Sequence, residues 1–572
     1  MRYMCLACDY DGTIARDSIV AQSTLQALER IKNSGRKLIL VTGRELDDLL
    51  RVLEKPELFD RIVAENGAVL YRPSSKETAA LCEPPPKAFV DELTRRGVTP
   101  LSQGLRIVAT WHPQEATVLE VIRSMSLELQ IIFNKNAVMV LPSGTNKGTG
   151  LTAALKELEL STHNVVAVGD AENDHAFLGV CECCVAVNNA LPALKERSDW
   201  VAYQSHGPGV EELIELLLKD DLQALAPRLH RHEIELGTEE NGEKFTLPAY
   251  GSRVLIAGPS GSGKSTTTSA IVDRLFALGY QVCLVDPEGD YDEFEPLATL
   301  GGPNHVPAIS EIFDTLNDPK RSLGINLLGV PLPDRPQFFQ TLLMRLQELR
   351  VKTGRPHWIV VDEAHHLMPV DLPTGGLAVT KDMESFALVT VHPDEVSPAI
   401  LSSVNTLIAV GSEPKKVVEQ FIKGTKGSDG PDPQLVRAPE PDCVLVWRFV
   451  AHEKPHYVKV KPARSQLRRH QRKYAVGELG HDRSFYFRGP EGRLNLRAQN
   501  MNVFAQLAEG LDDSTWSFHL SQHDYSRWMR DTIKDRELAE VIAKIEDDKT
   551  LEASASRRDI IDAIQKHYTA SG

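Results

Sequence analysis

Short, almost wholly apolar runs alternate with amphipathic stretches from the first residues of the chain. "YMCLACDYDG" (3–12) and "KLILVTGR" (37–44) read as strands, and "AQSTLQALERIKNSG" (21–35) between them reads as a helix. Another helix and the run "RIVAENGAVLY" (61–71) follow, and "VCECCVAV" (180–187) reads as a further buried strand. Strands that alternate with helices predict a parallel sheet covered by helices, with its chemistry at the carboxyl ends of the strands. Between Tyr71 and Lys147 the pattern changes. "PKAFVDELTRRG" and "EATVLEVIRSM" read as helices, "RIVATWHP" as a strand, and "LQIIFNKNAVMVLP" as a hairpin turning at Asn134-Lys135-Asn136.

A second α/β pattern begins after "LLKDDLQALAPRLHRH". "HEIELGTEENGEKFTLP" reads as two short strands around a polar turn, followed by "VLIAGPSGSGKSTTTSAIVDRLFALG" as strand, glycine-rich loop and helix. "CLVDPEGDY", "PHWIVVDEAHHLMP", "SFALVTVHP", "TLIAVG" and "CVLVWRFV" contribute further strands. Beyond about residue 475 the spacing becomes that of amphipathic helices, and Trp516, Phe518, Tyr525 and Trp528 are expected to build a small core. An aromatic nucleic-acid platform is the alternative for these four. Arg488, Arg493 and Arg497 could bind a phosphate or lie on the surface.

Composition narrows the class. At 572 residues, 42% hydrophobic and 25% charged, the chain is an ordinary globular protein of several domains. A formal charge of −15 opposes general affinity for nucleic acid. "KPHYVKVKPARSQLRRHQRKY" (454–474), which holds no acidic residue, is either a solvated linker or a phosphate-backbone contact. No apolar run is long enough to span a membrane, and a strand begins too early for a signal peptide, so a cytoplasmic location is expected. Eight cysteines, several inside apolar runs, suit reduced thiols. Cys5 and Cys8, and the group Cys181, Cys183 and Cys184, therefore read as core thiols rather than zinc ligands, which need to converge from loops.

Four polar clusters fall where strands end: Asp9-Tyr10-Asp11-Gly12-Thr13, Thr42-Gly43-Arg44, Lys147, and Gly169-Asp170 with Asn173-Asp174. One carboxylate can attack phosphorus and form an acyl phosphate, while a second protonates the leaving oxygen and then activates water. Three converging carboxylates require a hard cation such as Mg²⁺ between them, and Thr42 and Lys147 would bind the phosphoryl oxygens. "DYDGT", "VTGR", Lys147 and "GDAENDHAFL" resemble the four ordered motifs of the haloacid dehalogenase superfamily, and "AVNNALPALKERSDWV" resembles its Cof-type phosphatases. The resemblance implies Asp9 as nucleophile and Asp11 as general acid/base. It implies Mg²⁺ held by Asp9, Asp170 and the Asp11 carbonyl, with Asp174 in support. It also implies that the inserted segment is an α/β cap, which favours a small phosphorylated metabolite or nucleotide as substrate.

In the second region, Gly258 to Ser265 fits G-x-x-x-x-G-K-S between a strand and a helix, the context a P-loop requires. Gly258, Gly261, Ser262, Gly263, Lys264, Ser265 and Thr266 would cradle ATP phosphates, with Lys264 on the β- and γ-phosphates and Ser265 on Mg²⁺. Asp362-Glu363 closes an apolar strand, which suits Asp362 to the Mg²⁺ shell and Glu363 to polarising water. His392 is either a γ-phosphate sensor or an ordinary loop histidine. "IELG", the P-loop, "CLVDPEGDY" and "IVVDEAHHL" are similar to the HerA–FtsK ATPases, especially the HerA-like branch. That resemblance implies ATP as ligand, a homo-oligomer (a hexameric ring in many relatives) and DNA as a possible partner.

The expected layout is a Rossmann-like α/β phosphatase domain over 1–215 with a cap at about 80–143, a P-loop ATPase domain over 228–461, a basic linker over 462–480 and a mainly helical C-terminal domain over 481–572. The expected function is a bifunctional hydrolase: a Mg²⁺-dependent phosphatase fused to an ATP-hydrolysing motor or regulator. The alternatives are a DNA-remodelling ATPase with an ancillary phosphatase, and a kinase–phosphatase pair acting on one substrate.

Overall fold

The computed structural model describes residues 1–228, 232–292, 294–295, 297–370, 384–425, 432–440, 442–449, 453–463, 484–533 and 536–569. Contacts divide the chain into two compact units. One comprises Met1–Lys264, Arg274–Asp292 and Pro296–Lys461, and the other comprises Ser265–Asp273, Glu293–Glu295 and Pro462–Gly572.

The first unit contains two large sheets. In the N-terminal sheet, the strand Cys5–Cys8 lies at the centre, paired in parallel with Val165–Gly169 on one side and Lys37–Val41 on the other. All four residues of the central strand are buried, which is why its sequence lacks the alternation of a half-exposed strand. Cys5, Cys8, Cys181, Cys183 and Cys184 are free and buried, as core thiols. "RIVAENGAVLY" is not one strand but an antiparallel pair, Arg61–Ala64 and Val69–Arg72. Glu65, Asn66 and Gly67 between them all have positive φ, which reverses the chain.

The inserted segment forms its own layer. Leu129–Asn134, Ala137–Pro142, Val108–Trp111 and Ser102–Gln103 make an antiparallel sheet, and the helices Lys87–Arg95 and Glu115–Ser124 pack on it through Phe89, Leu93, Val118 and Val121. The hairpin turns at Lys135 and Asn136, with Asn134 paired to Ala137.

The second sheet is built around the strand Arg253–Ala257, flanked in parallel by Phe386–Thr390 and Thr406–Ala409. Trp358–Val361 lies next to Phe386–Thr390, followed by Val282–Asp286. The strand Ile234–Glu239 pairs with Lys244–Leu247 and also with His456–Val460. The start of the basic stretch is thus sheet, with Tyr457 and Val458 buried, rather than linker. Residues 464–483, including Arg468, Arg469, Arg472 and Lys473, lie outside the described residues.

In the second unit, a hairpin of Phe485–Phe487 and Leu496–Ala498 joins the helices Met501–Glu509, Asp513–Ser521, Asp524–Trp528, Arg536–Asp547 and Ala553–Thr569. Trp516, Tyr525 and Trp528 are buried in its core and Phe518 is only half-buried. Trp516 stacks on Tyr525 at 4.4 Å between ring centroids and donates Nε1–H to Ser556 at 3.0 Å. Arg497 donates to Ser484, and Arg488 lies over the Tyr486 ring. Among the described residues no helix is long and apolar enough to cross a membrane.

Candidate active sites

Asp9 leaves the central strand of the first sheet at its carboxyl end, and the two flanking strands deliver Asp170 and Thr42 beside it. The helix Lys147–Glu157 starts here, capped by Asn146, whose side chain accepts the N–H groups of Gly148 and Thr149. The cap fixes the first turn, and Lys147 is 1% exposed. Its ammonium donates to Asp9 Oδ1 and Asp174 Oδ1, both at 2.6 Å. The other Asp174 oxygen accepts the N–H groups of Asp170 and Ala171 at 2.8 Å each.

One oxygen from each of Asp9, Asp170 and Asp174 lies within 4.8 Å of the other two. Burial, with the charge of Asp174 added, pushes the Asp9 carboxyl up to about 8, and burial also raises Asp170. Burial alone would lower the Lys147 ammonium, but Asp174 and Asp9 outweigh it and hold it above its usual range. One buried ammonium does not balance three carboxylates, and a set of hard oxygen donors suits a divalent cation such as Mg²⁺. Gly12, at φ +88°, keeps this space open, because a Cβ there would clash with the Asp170 carboxylate.

The structure brings Asp9, Asp170, Asp174 and Lys147 together but leaves the Asp11 carboxylate outside the cluster. Arg44 holds it through Nε at 2.6 Å and Nη2 at 2.7 Å. Thr42 is buried, and its hydroxyl accepts the Arg44 N–H at 3.2 Å. Two residues with no assigned part in the sequence reading also enter the site. Lys135, at the tip of the inserted hairpin, reaches Asp170 Oδ2 at 3.3 Å. Glu65 accepts the N–H groups of Leu105, Arg106 and Ile107, which tethers the cap to the sheet. The sequence cue for Lys135 was its place in a hairpin turn; Glu65 carried none.

In the second sheet, the loop from Gly258 to Gly263 joins the strand Arg253–Ala257 to the helix Lys264–Ala277. Gly261 and Gly263 take φ of +73° and +105°, and a Cβ on Gly258 would meet the Val410 carbonyl. Lys264 is 7% exposed, burial lowers its ammonium, and Nζ donates to the Pro259 carbonyl at 3.1 Å. Ser265 and Thr266 follow at the start of the helix.

The strand Phe386–Thr390 lies between the P-loop strand and the strand that ends at Asp362, so Thr390 sits between the two motifs. Asp362 is 4% exposed and raised well above the usual carboxyl range by burial and by Asp286. Glu363, at φ 41°, is raised by burial and by Glu288. Its Oε2 lies 3.4 Å from His365 Nδ1, which also meets Thr390 Oγ1 at 3.1 Å. Burial pushes His365 down to about 4, and His392 meets its ring edge-on at 5.5 Å. His392 is thus brought beside the Asp362-Glu363 turn, whereas His365 was missed as a polar neighbour. Asp286 caps its own loop, accepting the N–H groups of Glu288, Gly289 and Tyr291.

Residues 6–95 and 120–214 match the haloacid dehalogenase-like hydrolases, and residues 248–349 match the central domain of the helicase HerA. Phosphoglycolate phosphatase 2 of Saccharolobus solfataricus is 29% identical over 224 residues, covering 37% of this chain and 91% of that protein. The phosphoglycolate phosphatase of Methanothermobacter thermautotrophicus is 30% identical over 217 residues, covering 36% of this chain and 96% of that protein. The chain belongs to the haloacid dehalogenase-like hydrolases. A solved haloacid dehalogenase-like hydrolase from Bacteroides thetaiotaomicron aligns at a TM-score of 0.34 and 19% identity, over 38% of this chain and 99% of that one. The haloacid dehalogenase-like match contains Asp9, Thr42, Lys147, Asp170 and Asp174, and a HerA-type P-loop ATPase domain follows it in the same chain.

Proposed function

We propose that this chain hydrolyses a small anionic phosphomonoester at the Asp9 site and ATP at the Lys264 site. The observation that carries the first half is the contact of one buried lysine with both Asp9 and Asp174. It holds the Asp9 carboxylate in place at the carboxyl end of the sheet, with one oxygen available for attack.

Asp9 attacks phosphorus, and the ester oxygen leaves with a proton from Asp11, giving an aspartyl phosphate. Asp11 then takes a proton from water, which attacks the phosphorus and releases inorganic phosphate and free Asp9. Asp11 must turn away from Arg44 to do this, so Arg44 acts as its resting partner. Thr42 and Lys147 bind the phosphoryl oxygens. Asp9, Asp170 and the Asp11 carbonyl would hold Mg²⁺, with Asp174 in support, and the ion would supply neutralisation of phosphate charge. The cap excludes water and bulky esters, and Lys135 brings a cation from the cap side that suits a second anionic group. Phosphoglycolate, a carboxylated two-carbon phosphate, is therefore the first substrate to test.

At the second site, Gly258, Gly261, Ser262, Gly263, Lys264, Ser265 and Thr266 cradle the triphosphate. Ser265 and Asp362 would hold its Mg²⁺, and Glu363 polarises the attacking water. Thr390 and His392, between the two motifs, are placed to respond to the γ-phosphate.

Asp9→Asn decides the first reading: phosphoglycolate hydrolysis should fall by at least about a thousandfold, with ATP hydrolysis retained. Phosphate release at the wild-type rate would overturn it. The HerA match favours an assembly that works on DNA in the presence of ATP. Light scattering with ATP and Mg²⁺ should show an oligomer, and affinity for duplex DNA should fall steeply with salt. A monomer that binds no DNA at low salt would leave a regulatory ATPase instead.

A further inference from the structure

We propose that His163, Glu182 and His232 form a binding site for a transition-metal dication, with zinc the best chemical fit, where the phosphatase sheet meets the ATPase sheet. His163 lies in the turn Thr162–Asn164 before the strand Val165–Gly169, and Glu182 immediately precedes the strand Cys183–Ala186. His232 comes just before Ile234–Glu239, the first strand of the second sheet. Three short loops thus bring three side chains to one point.

One ligand atom from each residue lies within 4.8 Å of the others. His163 Nδ1 is 2.7 Å from Glu182 Oε2, and His232 Nε2 is 3.8 Å from the same oxygen. His163 and Glu182 are buried, and His232 is 22% exposed.

The hydrogen bonding of His163 decides what fills the space. Its Nε2 lies 2.9 Å from the Leu278 carbonyl, which can only accept, so Nε2 carries a hydrogen. Nδ1 then faces a carboxylate at hydrogen-bond distance, and two lone pairs at that separation need a cation between them. A proton would serve one imidazole. A second imidazole converging on the same carboxylate oxygen is what a metal requires and a single proton does not. A ligating histidine whose other ring nitrogen donates to a backbone carbonyl is the usual outer-shell arrangement of a metal site.

Glu182 is also held in place. Tyr280 directs its hydroxyl at both carboxylate oxygens, at 2.9–3.0 Å, and Arg2 pairs with Oε1, which fixes the carboxylate with Oε2 also in reach of the two histidines. Two imidazoles and one carboxylate suit zinc, whereas the all-oxygen set of Asp9, Asp170 and Asp174 suits Mg²⁺. The two sites should therefore sort different metals. A cavity of about 320 Å³ lined by His163, Glu182, Arg2, Tyr250 and Arg350 adjoins the cluster and can supply a water as a further ligand. Because His163 and Glu182 belong to the first sheet and His232 leads into the second, the bound metal would staple the two.

The test uses the full chain, purified without chelator and kept in millimolar Mg²⁺ so that the oxygen sites are filled. Zinc content by plasma mass spectrometry should be one equivalent in wild type and in Asp170→Asn. It should fall at least about tenfold in His232→Ala and Glu182→Gln. After chelation, Co²⁺ should restore visible bands of a nitrogen-ligated ion in wild type. Should the variants fail to fold, the wild-type cobalt spectrum still decides. Wild type that takes up no zinc and shows no such bands overturns the proposal, because the cation beside His163 is then a proton. Equal zinc in wild type and a folded His232→Ala overturns it as well.

Discussion

Lys135 reaches Asp170 from the tip of an inserted hairpin, not from the sheet that carries the carboxylates. Its ammonium is half-exposed, so the contact with Asp170 contributes little to stability; its value is positional. A cation at the cap side of a phosphate site can pair with the carboxylate of a small substrate, an interaction that a phosphoester without a carboxylate lacks. Lys135→Ala should therefore lower kcat/KM for phosphoglycolate about tenfold or more, mainly through KM. Hydrolysis of an aryl phosphate with no second anionic group should change little. Steady-state kinetics on both esters check this, and equal losses on the two would mean that Lys135 acts only on the cap. In the second site, Glu363 adopts φ 41°, a left-handed conformation in which a non-glycine residue is uncommon. Backbone strain at a carboxylate between the P-loop lysine and His365 fits a residue selected for where its side chain points. Glu363→Gln keeps the shape and removes the charge proposed to polarise water, so nucleotide binding should persist while turnover falls about a hundredfold or more. Paired fluorescent-nucleotide binding and phosphate-release assays separate the two effects.

The turn Glu65-Asn66-Gly67 does three jobs within one short element. It reverses the chain between two strands, it directs the Glu65 carboxylate to three N–H groups of the cap, and it passes against the capping residue Asn146. Gly67 has φ +102°, and a Cβ there would run into the Asn146 carbonyl at the start of the helix that carries Lys147. Gly67→Ala should destabilise the phosphatase fold by about 1–3 kcal/mol and displace Lys147, with a larger loss of phosphatase than of ATPase activity. Thermal melting and the two activity assays read this directly. The same turn marks where the sequence stopped being legible. Alternating strands and helices, the inserted layer and the P-loop context all followed from local apolar patterning. "RIVAENGAVLY" looked like one run because its apolar residues are nearly continuous, and the break depends on backbone conformation rather than hydrophobicity. The pairing of Ile234–Glu239 with His456–Val460 was hidden for a different reason: it joins segments far apart in sequence, and nothing in either stretch names its partner. The aspartates and Lys147 were legible because their chemistry needs a fixed order of residues. Lys135 and Glu65 were not, because their roles exist only once the cap lies beside the sheet, and the pairing of Arg44 with Asp11 joins two motifs that only the folded sheet brings together.

The two sheets of the first unit meet at the amino ends of their strands. Arg2 and His163–Asn164 precede strands of the first sheet, and Tyr280–Gln281 and His357 precede strands of the second. The carboxylate clusters stand at the opposite, carboxyl ends, so any influence of one site on the other must pass along the strands and through this seam. The seam is polar. His163 stacks on Tyr280 at 3.9 Å, Asn164 Oδ1 lies 3.2 Å from His357 Nε2, and Arg2 lies over the Tyr250 ring. Arg355 is its most buried cation, at 0% exposure. It donates to the Glu159 carbonyl of the first sheet's side and to Gln281 Oε1 and the carbonyls of Leu316 and Asn317 on the second's. Burial lowers its pKa to about 10, which still leaves it charged near neutral pH. Removing it takes the donor from the buried Gln281 Oε1 and one of two donors from the Leu316 carbonyl, and a buried acceptor left unpaired costs about 1–3 kcal/mol. Arg355→Ala should therefore lower the melting temperature of the ATPase part and release the phosphatase part to unfold separately. Calorimetry should turn one transition of this unit into two, and nucleotide should then stabilise only the ATPase transition. Phosphatase activity at low temperature should survive, because Asp9 and Lys147 lie at the far ends of their strands. If the variant still melts in one step at the wild-type temperature, the seam does not bind the two sheets together, and coupling between the sites would need another route.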